Sequence, residues 1–137
     1  MKAQNGQSAN PFLPVRRIKK LKPTITTDQL PRSTNRELTF ENGTAIGVSN
    51  RWHKGQYCSI ITEVGIVGCG IYDLVTPAEF GQAIAIAKGT PECPLVEPED
   101  LYSAKIVGAT PLAQSFGIEI GMTGREAVEI MLQQEPA

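Results

Sequence analysis

This 137-residue sequence predicts an α+β fold, a mainly antiparallel sheet with two to three helices packed on one face, in a single domain. Three observations carry that reading. Residues 37–72 are rich in β-branched and aromatic side chains, alternate apolar with polar positions, and are broken by turn residues, as in an N-terminal β-meander. Helix-start signatures follow only later, at Thr76, Thr110 and Thr123. Strands in one part of a chain and helices in the next are the pattern of α+β domains, and a chain of this size buries roughly two thirds of its unfolded surface around one core.

Residues 1–34 stand apart from that domain, which spans 35–137. Pro11, Pro14, Pro23 and Pro31 lie among many Gln, Asn, Ser and Thr, with apolar residues too sparse to build a face, so this tail is expected to be disordered. It is also basic. Residues 1–36 carry Lys2, Arg16, Arg17, Lys19, Lys20, Lys22, Arg32 and Arg36 against Asp28 alone, while the whole chain has a formal charge of −1, so the remainder is acidic. Such blocks often act as interaction tails. The run RRIKKLK has no interleaved aromatics and no nucleic-acid motif beside it, so the expected role is a solubilising arm over an acidic body rather than a nucleic-acid contact.

The start lacks the apolar segment of a secretory signal, and its prolines interrupt a targeting helix. The uncharged runs fall short of the ~20 residues a membrane span requires. Cys58, Cys69 and Cys93 are odd in number and scattered, which fits a reducing compartment. The expectation is a cytoplasmic protein with no membrane partner.

Taken in order, residues 37–40 read as a first strand, Asn42 and Gly43 as a turn, and 44–49 as a second strand. Residues 51–56, which hold Trp52 and His53, read as a loop. A hairpin of 57–63 and 66–72 follows, with Val64 and Gly65 between its strands. If Glu63 faces Ile66, then Cys58, Ile60, Val67, Cys69 and Ile71 share one apolar face, which the helices should cover. The other face then sets Tyr57 beside Tyr72, Ser59 beside Gly70 and Ile61 beside Gly68. Bare glycine backbone framed by two tyrosines invites close approach, so Tyr57, Ser59, Ile61, Gly68, Gly70 and Tyr72 are candidate interface residues.

Thr76, Pro77 and Glu79 form a capping-box signature, and Phe80, Ala83, Ile84 and Ala87 recur at helical spacing up to Lys88 and Gly89. Residues 90–98 are proline-rich loop and 105–107 a further strand. Thr110 and Pro111 start a short helix that runs through Phe116 and stops at Gly117. Thr123 and Glu126 repeat the capping box, and Ala127, Ile130 and Met131 form the buried stripe of a last helix.

Chemistry has few candidate sites. Cys69 lies between two glycines with Asp73 on the same strand parity, and His53 is the chain's sole histidine, so a thiolate nucleophile with these partners is one reading. The alternation of Cys69 with Val67 and Ile71 supports the other, a small core residue. Gly121, Thr123, Gly124 and Arg125 open the last helix, where free N–H groups and an arginine suit an anion. An ordinary capping box, with Arg125 paired to Glu129 one turn on, explains the same residues. No metal site is expected, because His53 and the three cysteines are the only soft ligands and lack the close spacing of zinc motifs. No phosphate-loop pattern is present, and no cofactor is expected.

GIVGCGIYD with Gly65, Cys69, Gly70 and Asp73, the AKIVG run at 104–108, and LAQSFGIEIGMTGREAVEIM at 112–131 together resemble the domain of unknown function 1805, the YunC-like family of bacteria and archaea. The blocks match in order and spacing across roughly residues 37–132. The resemblance implies a small α+β domain whose N-terminal β region mediates tetramerisation, and it implies no established activity. The tail lies outside it. The expected function is thus an oligomer-forming domain, most simply a homotetramer, with no assignable reaction. The alternative is a small enzyme or anion-binding protein using Cys69 and Asp73 or the 121–125 turn.

Overall fold

A computed structural model describes residues 29–137, so the tail assignment to residues 1–28 lies outside the described residues. Six strands form one sheet in sequence order: β1 (Arg32–Phe40), β2 (Gly43–Trp52), β3 (Gly55–Ile61), β4 (Gly65–Gly68), β5 (Ala83–Ala87) and β6 (Ile106–Ala109). All neighbours are antiparallel except β4 and β5, which run parallel. The helices are α1 (Val75–Glu79), α2 (Pro111–Ser115) and α3 (Gly124–Leu132), with a 3₁₀ turn at Pro98–Leu101. The fold is α+β, as the order of sequence signals predicts.

The inner face of the sheet carries Leu38, Phe40, Ala45, Cys58, Ile60, Val67, Ala85 and Ile106, all buried. Ala113 of α2, Ala127, Val128 and Met131 of α3, and Leu101 of the 3₁₀ turn close over them. Those helix positions recur at three- and four-residue spacing because an amphipathic helix presents one stripe to its sheet. α3 begins with the expected box: Thr123 Oγ1 accepts from the Glu126 N–H at 3.1 Å, and Glu126 accepts from the Thr123 N–H at 2.8 Å. Glu129, one turn along α3, accepts the N–H groups of Glu41 and Asn42 at 2.9 and 3.0 Å and so pins the β1–β2 turn to the helix.

Several expectations are corrected. The helix expected from Thr76 to Lys88 is two elements, the five-residue α1 and the strand β5. Gly81, at φ 67°, breaks the helix after Phe80, and the AIAIA segment beyond it alternates with period two. Ala83, Ala85 and Ala87 face the inner layer, while Ile84, only 4% exposed, lies on the opposite side. A central strand buried on both faces reads as an unbroken apolar run, which short helical spacing imitates. The Thr76 capping box does not form. Leu74 is the N-cap, and Asp73 supplies the acceptor for the Thr76 N–H at 3.0 Å.

The hairpin is shifted by two residues. Ile61 faces Ile66, Ile60 faces Val67 and Ser59 faces Gly68, because the turn residues are Glu63 and Val64 rather than Val64 and Gly65. Thr62 fixes that turn. Its N–H donates to the Gly65 carbonyl at 2.8 Å, its hydroxyl donates to the same oxygen, and the Gly65 N–H donates back to the hydroxyl at 3.1 Å. A two-residue shift preserves which face each side chain takes. β4 ends at Gly68, so Ile71 leaves the sheet and is 57% exposed instead of joining the core. The 51–56 loop shrinks to a turn at His53 and Lys54, and β1 takes in Arg32, Ser33 and Thr34, which the sequence places in the tail. Arg36 of β1 pairs with Glu99 and, at 3.6 Å, with Glu97, and Arg32 lies 3.9 Å from Glu97.

Candidate functional site

Two regions gather the residues singled out by the sequence. The first is the outer face of the sheet, opposite α2 and α3. Strand alternation brings Ile46, Val48, Trp52, Tyr57, Ser59, Ile61, Ile66 and Gly68 to this side. Trp52 lies over Gly55, and its ring centroid is 6.0 Å from that of Tyr57. Tyr57 in turn meets Tyr72 edge to face at 6.0 Å. The Tyr72 ring occupies the space above Gly68, where an added Cβ would sit 2.5 Å from Cδ2. So the bare backbone is covered by a tyrosine of the same chain. Ser59 Oγ is buried under this cluster without a hydrogen bond of normal geometry, and burial pushes the Tyr72 phenol up. Gly70 is exposed, with nothing nearer its Cβ position than the Ala87 carbonyl at 3.9 Å.

The cover on this face is uneven. Leu74 packs on Gly108 at the β5–β6 end. Over β2 and β3 the sheet is open, and Ile46 and Ile61 are 50% and 37% exposed on a groove of about 740 Å³ that also includes Asn35, Glu37 and Thr44.

The second region surrounds Cys69. The shifted hairpin sets it opposite Cys58, and the Cys69 N–H donates to the Cys58 carbonyl at 3.1 Å. The neighbouring Cys58 thiol, assisted by the backbone at Ile71, holds the Cys69 thiol down at about 6, and the Cys69 sulfur together with burial pushes Cys58 up. Groups coupled this closely titrate as a pair. Cys58 is fully buried, whereas Cys69 keeps 7% exposure on the floor of a cleft of about 340 Å³ formed with Gln56, Gly70, Ile71, Thr90 and Pro94.

The other candidates do not join this pair. Asp73 is exposed and committed to the Thr76 N–H, which holds its carboxyl below the usual range. His53 sits in the exposed turn before Gly55, which is itself roughly 10 Å along the strand from Cys58 at ~3.3 Å per residue, and is not among the cleft residues. At the 121–125 turn the backbone donors are already used: Gly121 donates to the Ile106 carbonyl, Gly124 to Ala104 and Arg125 to Tyr102, at 2.8, 2.8 and 3.2 Å. Arg125 does not pair with Glu129; its guanidinium lies over the rings of Tyr102 and Phe40, 4.6 and 5.5 Å from their centroids. These residues lock α3 to the sheet. Among the described residues no cluster of metal-ligating side chains occurs, and no helix is long and apolar enough to cross a membrane.

Sequence reasoning put Cys58 and Cys69 on one face yet missed that they oppose each other. Thr62 was the available signal, since its hydroxyl next to Glu63 and Val64 builds the turn without the left-handed residues that a Val64, Gly65 turn demands.

Residues 68–131 match the family described as Domain of unknown function (DUF1805), a shorter span than the resemblance read across 37–132. The structure is similar to the crystal structure of a protein of unknown function, TA1206, from Thermoplasma acidophilum. The TM-score is 0.64 at 19% identity, covering 76% of this chain and 97% of that one, a likeness of fold. No curated protein matches the chain.

Proposed function

We propose, from the match of residues 68–131 to the DUF1805 family, that this protein is a self-assembling domain whose outer β face joins copies of the chain into a homotetramer. The observation that carries the proposal is the unequal cover of the sheet. Its inner face is sealed by α2 and α3, whereas the N-terminal half of its outer face leaves the paired Ile46 and Ile61 at 50% and 37% exposure, with Trp52 at 43% on the far end of β2. Exposed apolar side chains lower the free energy when a complementary surface removes them from water. A second copy is self-complementary by symmetry. The family resemblance, which implies tetramerisation through the N-terminal β region, points to the same strands. The free state of Cys58, Cys69 and Cys93 supports a cytoplasmic setting. No reaction is assigned to this surface.

Multi-angle light scattering of the full chain at micromolar concentration tests the proposal. The expected mass is four times the 14.8 kDa of the chain. A single-chain mass at that concentration would remove the basis for the reading.

The enzymatic alternative retains one specific support, the position of Cys69 at the floor of a cleft. The anion-binding version has lost its donors to intramolecular bonds at Gly121, Gly124 and Arg125.

A further inference from the structure

Cys58 and Cys69 are both free and both buried, whereas Cys93 is exposed. They lie one step beyond the last pair of the β3–β4 ladder, Ser59 and Gly68, and are joined by the 3.1 Å bond from the Cys69 N–H to the Cys58 carbonyl. Opposed residues that continue such a ladder have Cα atoms ~5.5 Å apart. A disulfide closes over Cα separations of roughly 4.4–6.8 Å, so the bonded backbones bring the two cysteines near bridging range. Their surroundings differ in a way that gives each a separate task. Cys58 has no exposed surface, while Cys69 meets solvent at the cleft. Only a small reagent fits an approach that leaves 7% of the residue accessible.

We propose that Cys58 and Cys69 form a dithiol redox centre that reduces small hydroperoxides, with Cys69 attacking and Cys58 resolving. In the first step the Cys69 thiolate attacks the terminal peroxide oxygen. An S–O bond forms, the O–O bond breaks, and the departing alkoxide or hydroxide takes up a proton and leaves as alcohol or water. Cys69 is now a sulfenic acid. Cys58 then attacks the Cys69 sulfur, and its proton passes to the departing hydroxide. The S–S bond forms as the S–O bond breaks, and hydroxide leaves as water. Across both steps the two thiols give up two electrons and two protons, and the peroxide receives them. A small cellular thiol returns the pair to the dithiol by exchange. A thiol pair that is free at rest and bridged only in passing is the form that redox chemistry takes in reducing compartments. The exposed Cys93 lies outside the pair and serves as an internal comparator.

The full-length chain is treated near neutral pH with one equivalent of hydrogen peroxide, alkylated under denaturing conditions, digested without reduction and mapped by mass spectrometry. The expected product is a peptide pair bridged between Cys58 and Cys69, lighter by two hydrogens and restored by dithiothreitol. In Cys58→Ser, dimedone added with the peroxide should label Cys69, and in Cys69→Ser no label should appear at Cys58. Peroxide consumed with Cys58 and Cys69 both still alkylated, or oxidation confined to Cys93, would overturn the proposal on wild-type protein alone, whatever the variants do. A bridge joining either cysteine to Cys93 would do the same.

Discussion

Gly68 is a glycine because the ring of Tyr72 lies where its side chain would be. A Cβ there meets Cδ2 and Cε2 at 2.5 and 2.6 Å, too close for any real contact. Gly68→Ala should therefore cost about 1–3 kcal/mol, the usual range for forcing a methyl group into a packed site. Denaturant unfolding measures it. In a Tyr72→Ala background the cost of the same methyl group should shrink by about 1 kcal/mol, because contacting residues couple and the clash is gone. An equal cost in both backgrounds would mean that the ring is not what excludes the side chain. Cys69 makes a second residue-scale case. Its thiol is drawn down to about 6 chiefly by the neighbouring Cys58 thiol, so the thiolate should persist above that pH and be lost as the pH falls through it. The rate of alkylation by iodoacetamide, followed site by site, should rise with a midpoint near pH 6. Cys58→Ala removes that thiol and should move the midpoint upward toward the ordinary ~8.5 of a cysteine. An unmoved midpoint would assign the shift to the backbone at Ile71 instead. Alternation of Cys69 with Val67 was legible in the sequence, but its opposition to Cys58 was not. That contact depends on a register set by the Thr62 hydroxyl, a side-chain bond that strand periodicity does not contain.

At the scale of elements, β5 holds the two halves of the fold together. It pairs in parallel with β4 and antiparallel with β6, and its first residues are tied down by Thr110. The Thr110 hydroxyl donates to the Gln82 carbonyl at 2.7 Å and accepts the Ile84 N–H at 3.0 Å, while its oxygen also caps α2 at Ala113. Thr110 is 1% exposed, so water does not replace these partners. Thr110→Val keeps the shape and strands both backbone groups, which predicts a loss of about 1–3 kcal/mol in denaturant unfolding. Thr110→Ser should recover most of it; a serine variant as unstable as valine would show that the methyl packing, not the hydroxyl, matters. The sequence marks Thr110 clearly as a helix start, and α2 and α3 begin where their caps predict. β5 was read as helix because five alternating alanines and isoleucines also fit one face of a helix. Burial on both sides, which decides the matter, comes from β4 and β6 and is not a property of the segment itself.

For the whole molecule, one half is a sheet clamped between its helices and the other a sheet with an open side. The inner layer was readable from parity alone, since Cys58, Ile60 and Val67 fall on one face in either register. What covers the outer face was not, because a chain that leaves Ile46 and Ile61 exposed records no partner in its own contacts. Gly68→Arg is a poor probe of that surface, as it would displace Tyr72 first. The most direct test is the double substitution Ile46→Asp with Ile61→Asp, measured by light scattering beside wild type and beside Phe80→Asp, which alters an equally apolar residue, 74% exposed, on α1. Two carboxylates placed in a buried interface lose their hydration and repel their symmetry mates, so assembly should fail. Wild type and Phe80→Asp should be tetrameric, and the double variant should fall to a smaller species with its circular dichroism unchanged. A double variant that keeps the wild-type mass, or a loss of mass in Phe80→Asp alone, would contradict assembly through this face.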